Sequence, residues 1–235
     1  MSMNNIFDKY ASEYDSWFFD NTNLLQSEVN LVAHFLDNPG DIFSVGCGSG
    51  LFESILKKDF GITIESAIEP SEGMANIARK RGINAKVATA EEADFGVDAY
   101  DTVLFNGTPS YITDLERVIH KAYKAVRKGG KVIVIDVPKE SAYGMMYNLA
   151  MSLNTWEHPL LKGVKPLNPY PIEFVKLANW RTTEENVNLL KQAGFKKFKF
   201  AQTLTKKPIF SNNEVEQVTE GYDRGSYVAI CAYKV

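Results

Sequence analysis

The sequence predicts an α/β protein built on a doubly wound, mostly parallel sheet. Three observations predict this fold: short apolar runs of strand length, amphipathic helical stripes between them, and a glycine-rich turn after the first run. Strand and helix alternate along the chain, which favours parallel strands joined by helical crossovers. The chain has 235 residues and is 45% hydrophobic, enough to bury one sizeable core. We therefore expect a single domain over residues 1–235.

The first predicted strand, Ile42 to Val45, runs into three alternate glycines, Gly46, Gly48 and Gly50. Glycine lets a backbone turn sharply and approach a ligand closely because it has no Cβ. The helix that follows from Leu51 offers free N–H groups to a polar or anionic ligand. The segment therefore predicts one wall of a nucleotide-type pocket, with a ligand-free glycine turn as the alternative. Leu51 stands where the dinucleotide pattern G-x-G-x-x-G needs a small residue, which disfavours a nicotinamide cofactor.

The next elements continue the alternation of strand and helix. A strand from Glu65 ends at Glu69, about 20 residues beyond the glycines, where a carboxylate can accept hydrogen bonds from ribose hydroxyls. Ser71 is placed to cap a helix over 72–80. A short strand begins at Ala85 and runs into a turn, and a further strand spans 100–106.

The second half of the chain completes the pattern. Helical stripes run from Leu25 to Leu36, which we interpret as core, and from Leu115 to Val126, with Lys128–Gly130 closing the second helix and a strand over 131–137 after it. Thr182 and Glu185 form a capping box for a helix that ends at Gly194. The alternating runs 195–204 and 226–233 predict antiparallel strands.

Five motifs, in order, resemble those of class I S-adenosylmethionine (SAM)-dependent methyltransferases of the small-molecule branch. They are the opening pattern between Phe7 and Phe18, the glycine motif 46–50, the segment 68–71 with Met74, the segment 89–91, and the turn and strand 127–134. The resemblance covers nearly the whole chain. It implies a Rossmann-like, doubly wound, mostly parallel seven-stranded sheet with a C-terminal antiparallel hairpin and a cap insertion.

The resemblance also implies SAM as the cofactor and S-adenosylhomocysteine (SAH) as its product. The cofactor-binding residues that it implies are Tyr14, Gly46, Cys47, Gly48, Gly50, Glu69, Pro70, Met74, Thr89, Ala90, Glu91 and Asn106. Two positions depart from the family pattern: Ser44 replaces an acid before the first glycine, and Thr89 replaces the acid that contacts the adenine amine. Both residues can hydrogen-bond but bring no charge. They are the only support for an alternative function, a non-catalytic SAM- or SAH-binding regulatory protein.

Two segments outside the sheet pattern are candidates for covering the ligands. Residues 1–22 are rich in aromatic side chains, which predicts a lid that closes over the cofactor's sulfonium and excludes water, with a packed helix as the alternative. Residues 138–180 contain methionines, aromatics and, in the second half, four prolines, and a segment of this length is usually functional. We expect a substrate cap there; a cap that only packs on the sheet, or a dimer surface, is the alternative.

Methyl transfer from a sulfonium needs alignment and exclusion of water more than covalent help. A base is needed only if the nucleophile must lose a proton, and His158, the only imidazole of the insertion, is the candidate. Asn106 resembles a position that contacts substrate or the sulfonium region. The candidate substrate residues are Tyr10, Tyr111, Asp136, Tyr147 and Trp156. Asp136 ends a strand at the ligand-binding edge, where an acid that only caps a loop is the alternative.

Composition limits the partners. The net charge is −3 and no basic stripe is present, which disfavours nucleic acid. No apolar run approaches the roughly 20 residues that span a bilayer, and the first residues are unlike a signal peptide. Scattered histidines and two distant cysteines predict neither a metal site nor a disulfide, so we expect a cytoplasmic protein and leave a homodimer open. The expected function is methyl transfer to N, O or S of a small, partly apolar metabolite, with amines among the candidates.

Overall fold

The central sheet of the protein has the predicted doubly wound order. The computed structural model describes residues 3–235, with side chains described from Ile6 onward. Within these residues the strands form one eight-stranded sheet in the order β3-β2-β1-β4-β5-β8-β6-β7. The strands are β1 (Ile42–Val45), β2 (Ser66–Glu69), β3 (Asn84–Val87), β4 (Tyr100–Asn106), β5 (Val126–Asp136), β6 (Lys196–Thr203), β7 (Thr219–Glu220) and β8 (Tyr227–Tyr233).

The pairing confirms the fold predicted from the sequence. Strands β1 to β5 pair in parallel, whereas β8 pairs antiparallel with both β5 and β6. The sheet has one strand more than the seven expected because the two-residue strand β7 adds to the edge at β6. The helices are α1 (Met3–Tyr10), α2 (Tyr14–Asp20), α3 (Thr22–His34), α4 (Leu51–Phe60), α5 (Glu72–Lys80), α6 (Leu115–Ala125), α7 (Ala142–Leu153), α8 (Ile172–Val175) and α9 (Thr183–Ala193).

Core residues lie on both faces of the sheet, as the pleat requires. Along β4, Val103 and Phe105 pack in one cluster with α6 and α9, whereas Leu104 between them packs in the other with α3 and α7. Successive strand side chains point to opposite faces, so one apolar run can serve two layers. This arrangement leaves the carboxyl ends of the strands free to form a site.

Local signals in the sequence set the boundaries of α5 and α9 at the expected residues. The Ser71 hydroxyl accepts a hydrogen bond from the Met74 N–H at the start of α5. The capping box of Thr182 and Glu185 begins α9, and Gly194 ends it with φ 110°. These caps satisfy backbone groups that a helix end leaves without partners.

The boundary between α6 and β5 differs from the prediction. The helix ends at Ala125 and the strand begins at Val126, so the expected glycine turn lies inside the strand as an irregularity between residues 126 and 131. A Cβ on Gly130 would lie 2.6 Å from the Asp101 carbonyl oxygen, and Arg127 pairs with Asp101. The glycines therefore allow β4 and β5 to approach each other closely, and they do not end α6.

Candidate functional site

A cavity of about 350 Å³ opens at the carboxyl ends of β1, β2 and β4. The strand order reverses between β1 and β4, which is where ligands bind in open α/β sheets. We call one part of the lining the loop end: Gly46, Cys47, Gly48, Ser49, Glu53, Glu69, Pro70, Met74 and residues 88–91. We call the other part the α3 end: Phe18, Glu28, Phe52 and Tyr227, contributed by α2, α3, α4 and β8.

The three loop glycines all have positive φ, but they serve different purposes. A Cβ on Gly46 would lie 2.3 Å from Thr108 Cγ2, and a Cβ on Gly50 would lie 2.4 Å from Ile83 Cδ1. A Cβ on Gly48 would meet nothing within 4 Å. Gly46 and Gly50 are therefore required by packing, and Gly48 faces open space where a ligand can approach the backbone. Gly50 does not line the cavity.

Glu69 joins the glycine loop to the start of α5. Its Oε2 accepts from the Gly48 N–H at 2.9 Å, and its Oε1 accepts from the Ser71 N–H at 2.9 Å. Burial raises the pKa of Glu69 to about 7, against the lowering effect of these two bonds. Each carboxylate oxygen keeps a further lone pair, so Glu69 can still accept from a ligand hydroxyl.

A second carboxylate stands beside the serine that replaces the usual acid. The Ser44 hydroxyl donates to Oε1 of Glu53 at 2.8 Å, and Oε2 of Glu53 is buried with no partner among the described residues. Burial raises the pKa of Glu53 to about 6. Glu53 lies in the first turn of α4 and lines the cavity, so the chain supplies a carboxylate near Ser44 from another element. A buried, half-satisfied carboxylate fits a ligand that carries a cation.

The segment after β3 forms a further wall of the loop end. Thr89, Ala90 and Glu91 all line the cavity. The Thr89 hydroxyl bonds Glu92, the Glu91 carboxylate accepts from the Thr113 N–H at 3.0 Å, and Lys121 donates to the Ala90 carbonyl at 2.8 Å. These bonds fix the loop against α6 and the segment before it.

The helices α1 and α2 are tied to the cofactor motifs by two aspartates. Oδ1 of Asp8 accepts from the Ser71 hydroxyl at 2.6 Å and from the Gly73 N–H at 2.9 Å. Asp15 accepts from the Ser49 hydroxyl and pairs with Arg81, both at 2.5 Å. The opening sequence pattern therefore places acids that bind the glycine loop and the start of α5.

The insertion packs against the same two helices through aromatic rings. Phe7 stacks on Phe174 with 4.8 Å between ring centroids, and Trp17 packs edge-on against Tyr170 at 4.9 Å. The Tyr170 hydroxyl donates to the Tyr14 hydroxyl at 3.3 Å. Tyr14 and Tyr111 line the cavity, and the Tyr111 hydroxyl is buried without a partner in the described part of the chain.

Asn106 connects the end of β4 to the α3 end of the cavity. Its Oδ1 accepts from the Tyr227 hydroxyl at 2.7 Å, which orients the amide and leaves its two N–H donors for other partners. Burial and then the charge of Glu28 raise the pKa of Tyr227, so its hydroxyl stays protonated as a donor.

Four of the predicted residues outside the loop motifs lie away from the cavity. His158 is half-buried, and its Nδ1 accepts from the Leu160 N–H at the start of a short 3₁₀ turn. Tyr147 and Trp156 are buried in the core on the α3 side of the sheet, and the Trp156 indole donates to the Tyr170 carbonyl. Tyr10 lies on a separate cavity of about 250 Å³ between α1, α2 and the insertion.

Asp136 also lies outside the lining and caps a loop. Its Oδ2 accepts from the Ser110 N–H at 2.8 Å and its Oδ1 from the Val137 N–H at 2.8 Å. Burial raises the pKa of Asp136 to about 7, opposed by these bonds. The carboxylate thus holds the turn that carries Tyr111 into the cavity.

Sequence reasoning missed several lining residues, and two of them carry charge. Glu53 had a signal, because it stands in the first turn of the helix that follows the glycine loop. Glu28 had a weaker one: it lies four residues after Leu24 and three before Leu31, on an otherwise apolar helical stripe. Phe52 and Tyr227 carry no signal of their own, since they meet only in the folded chain, whereas Phe18 belongs to the aromatic lid that the sequence predicts.

Two further kinds of feature are absent from the part of the chain that the structure describes. Among residues 3–235, no group of three or more His, Cys, Asp and Glu side chains is placed to hold a metal ion. None of the helices in this range combines the length and apolar character that crossing a membrane requires.

The doubly wound fold, the glycine loop and the two carboxylates Glu53 and Glu69 define a Rossmann-like protein with a site for a nucleoside-containing cofactor. A family model described as a methyltransferase domain matches residues 17–198, so the chain belongs to this methyltransferase family. The protein is a SAM-dependent methyltransferase, and SAM is its cofactor. The open face of Gly48 and the half-satisfied Glu53 fit this cofactor, whose amino-acid end carries an ammonium group.

Two similar proteins match this chain over nearly the full length of both, and a third matches over a shorter part. An uncharacterized protein of Methanocaldococcus jannaschii is 33% identical over 98% of this chain and 100% of its own length. A crystal structure of a SAM-dependent methyltransferase from Thermotoga maritima, described as a possible histamine N-methyltransferase, is 34% identical with a TM-score of 0.83, covering 99% of this chain and 100% of that one. Ajmaline N-methyltransferase of Rauvolfia serpentina is 24% identical over 73% of this chain and 67% of its own.

Proposed function

We propose that the protein transfers the methyl group of SAM to a small, partly apolar molecule bound at the α3 end of the cavity. The observation that carries the proposal is the continuity of one cavity, from the glycine loop to an aromatic end formed by Phe18, Phe52 and Tyr227. The atom that accepts the methyl group is N, O or S. The plant relative is described as an N-methyltransferase and the Thermotoga maritima protein as a possible one. These descriptions support nitrogen as the atom that accepts the methyl group.

Three groups of the loop end hold the cofactor in this proposal. Glu69 accepts from the ribose hydroxyls, Glu53 pairs with the ammonium, and residues 89–91 form the adenine wall. Bound SAM supplies a methyl group already activated on a sulfonium. The protein's own contribution is to hold the nucleophile in line with that methyl group and to exclude water.

Residues 1–22 act as the lid in this proposal. Asp8 and Asp15 reach the two backbone segments that contact the cofactor, so closure of the lid and order of the glycine loop support each other. The aromatic rings that the lid places on the cavity, Tyr14 and Phe18, suit a positively charged sulfonium.

Residues 138–180 are proposed as a cap that supports the lid from behind. Its Tyr170 and Phe174 hold Tyr14 and Phe7 in place, while its own aromatic residues Tyr147 and Trp156 are buried in the core. The cap then determines the shape of the acceptor end indirectly. Asn106, oriented by Tyr227, is the proposed polar contact to the acceptor or to the sulfonium region.

Calorimetry and a turnover assay test the function. SAH and SAM should bind the purified protein, NAD should not, and methyl-labelled SAM should transfer its label to at least one member of a panel of small amines, phenols and thiols. Tight NAD binding without SAH heat would contradict the cofactor assignment. Tight SAH binding with no transfer to any panel member would contradict the proposed acceptor class.

The buried free thiols of Cys47 and Cys231 suit a reducing compartment, and we propose the cytoplasm as the location.

A further inference from the structure

Glu28 is a carboxylate in an unusual position on its helix. Helix α3 buries Leu24, Leu25, Val29 and Val32, and Glu28 lies among them while its side chain lines the cavity. An acid on an apolar helix face is costly unless it has a partner or a function.

The structure gives Glu28 no partner among the residues whose side chains are described. Burial alone raises its pKa to about 8, and no hydrogen bond or opposite charge counters that effect. The other acids of this region differ, because Glu53, Glu69 and Asp136 each accept at least one hydrogen bond from the protein. Glu28 is therefore equipped to receive a partner that arrives with a ligand.

Phenols and aromatic rings lie in the neighbourhood of Glu28. Its charge raises the pKa values of Tyr143 and Tyr147 on α7 and of Tyr227 on β8, in each case after the larger effect of burial. These phenols remain neutral at physiological pH. Phe18 and Phe52 line the same end, with 5.4 Å between their ring centroids.

A carboxylate among aromatic rings is the chemistry that binds an organic ammonium ion. The carboxylate accepts hydrogen bonds from the N–H groups, and the ring faces attract the positive charge. A neutral acceptor gains nothing from an ionised Glu28 and would leave its charge without a partner.

We propose that Glu28 recognises the acceptor, and that the acceptor is a compact, partly apolar amine that binds as a cation. An ammonium nitrogen has no lone pair, so the bound amine would have to give one proton to the Glu28 carboxylate before its nitrogen could accept a methyl group. This inference rests on the proposed function, since it assigns the substrate class of the same cavity. Glu28 is a specificity-determining residue in this proposal, and it takes no part in holding SAM.

The raised pKa gives the proposal a pH signature. In the free protein Glu28 holds a proton at pH 7, and an arriving cation favours its ionised form, so cation binding releases that proton. Affinity for an amine that stays protonated should then rise between pH 6 and pH 8. Glu53 and Glu69 titrate in the same range at the loop end, so the comparison must be made with SAH already bound and against a Glu28 variant.

The experiment compares Glu28→Gln with the wild type, each saturated with SAH, by calorimetric titration of matched probes. The pairs are 2-phenylethylamine with 2-phenylethanol and cyclohexylmethylamine with cyclohexylmethanol, which share apolar bodies and differ in charge. At pH 8 we expect the wild type to prefer the amine at least tenfold in one pair or both, and this preference to fall about tenfold at pH 6. Glu28→Gln should lose the preference and its pH dependence while its SAH affinity stays within threefold.

Glu116→Gln is the control, because it removes an exposed carboxylate on α6 that lies outside the cavity lining. It should behave as the wild type. The proposal is overturned if the wild type shows no amine preference in either pair, or if Glu28→Gln keeps it. A tenfold or larger loss of SAH affinity in Glu28→Gln would place Glu28 at the cofactor and also overturn it, whereas failure of the wild type to bind SAH would overturn the proposed function itself.

Discussion

The two ends of the cavity are built in different ways. The loop end is made of short segments that follow β1, β2 and β3, and Glu69 fixes its backbone by accepting from the Gly48 and Ser71 N–H groups. The α3 end is made of side chains from four distant elements, with Glu28 as its one charged member. In the proposed function, the backbone geometry of the loop end serves a cofactor that is always the same, whereas the converging side chains of the α3 end can be exchanged to suit one acceptor.

The largest effect that separates the ends is expected from Gly48→Val. A side chain there would point into the ligand space and would also adopt the left-handed backbone at φ 56°. SAH affinity should fall at least 100-fold, about 2.7 kcal/mol, in a titration of folded protein.

Gly61→Val is the matched control for Gly48→Val. Gly61 also has a left-handed φ of 70° and open surroundings, but it ends α4 away from the cavity. It carries the same backbone strain without blocking the ligand. Equal loss of SAH affinity in both variants would mean that strain, and not ligand contact, explains the effect.

The next effect is expected from Glu69→Ala. It removes a proposed ribose acceptor and also frees the N–H groups of Gly48 and Ser71. SAH binding should weaken by about 1.5–3 kcal/mol, the usual scale for hydrogen bonds to a charged group. Glu72→Ala, one turn away on the exposed side of α5, should leave the affinity unchanged. Unchanged binding in Glu69→Ala would move the ribose contact elsewhere.

Glu28 should affect the pH dependence of the protein's stability as well as its binding of ligands. A carboxyl group whose pKa rises on folding keeps its proton in the native chain between its ordinary value of 4.5 and about 8, while the unfolded chain has lost it. Stability contributed by that proton is therefore lost as pH rises through this window. Without ligand, Glu28→Gln should lie close to the wild type near pH 5 and exceed it at pH 8 by on the order of 3 kcal/mol, or about 6–12 °C in Tm.

Thermal unfolding at the two pH values measures this difference, with Glu116→Gln as the charge control. If Glu28→Gln is destabilised at both pH values, Glu28 makes a stabilising contact in the free protein and the account of an unpartnered acid is wrong.

The smallest effect is expected from His158→Ala. The imidazole lies outside the cavity lining and accepts only a local backbone hydrogen bond. Turnover, once an acceptor is found, should change less than threefold at any pH. A loss of 100-fold or more, largest for acceptors that must lose a proton before they attack, would instead support His158 as a base.

The loop end could be predicted from the sequence because its determinants are local. A strand, three glycines and an acid at the end of the next strand impose their geometry within a few residues, so Gly48, Glu69 and the cap at Ser71 could be assigned in advance. Glu53 was not predicted because the family pattern has its acid at position 44, where this chain has Ser44. The carboxylate comes instead from Glu53 on α4, whose Oε1 accepts a hydrogen bond from the Ser44 hydroxyl.

The α3 end could not be predicted because no local pattern marks it. Methionines and aromatics in residues 138–180 predicted an acceptor site there, yet Tyr147 and Trp156 pack into the core. Their composition suits a pocket and a hydrophobic core equally well. Glu28 lies in a helical stripe that the sequence predicts to be core. Only the folded chain shows that this partly buried acid lines a cavity.

One paired titration tests the division of the cavity most directly: SAH is titrated into Glu69→Ala and Glu28→Gln, and 2-phenylethylamine is then titrated into each SAH-saturated protein at pH 8. We predict that Glu69→Ala loses SAH affinity at least tenfold and binds the amine as the wild type does. Glu28→Gln should bind SAH as the wild type does and lose amine affinity at least tenfold. If both variants weaken the same ligand, or if Glu28→Gln weakens SAH alone, the cavity does not have separate cofactor and acceptor ends.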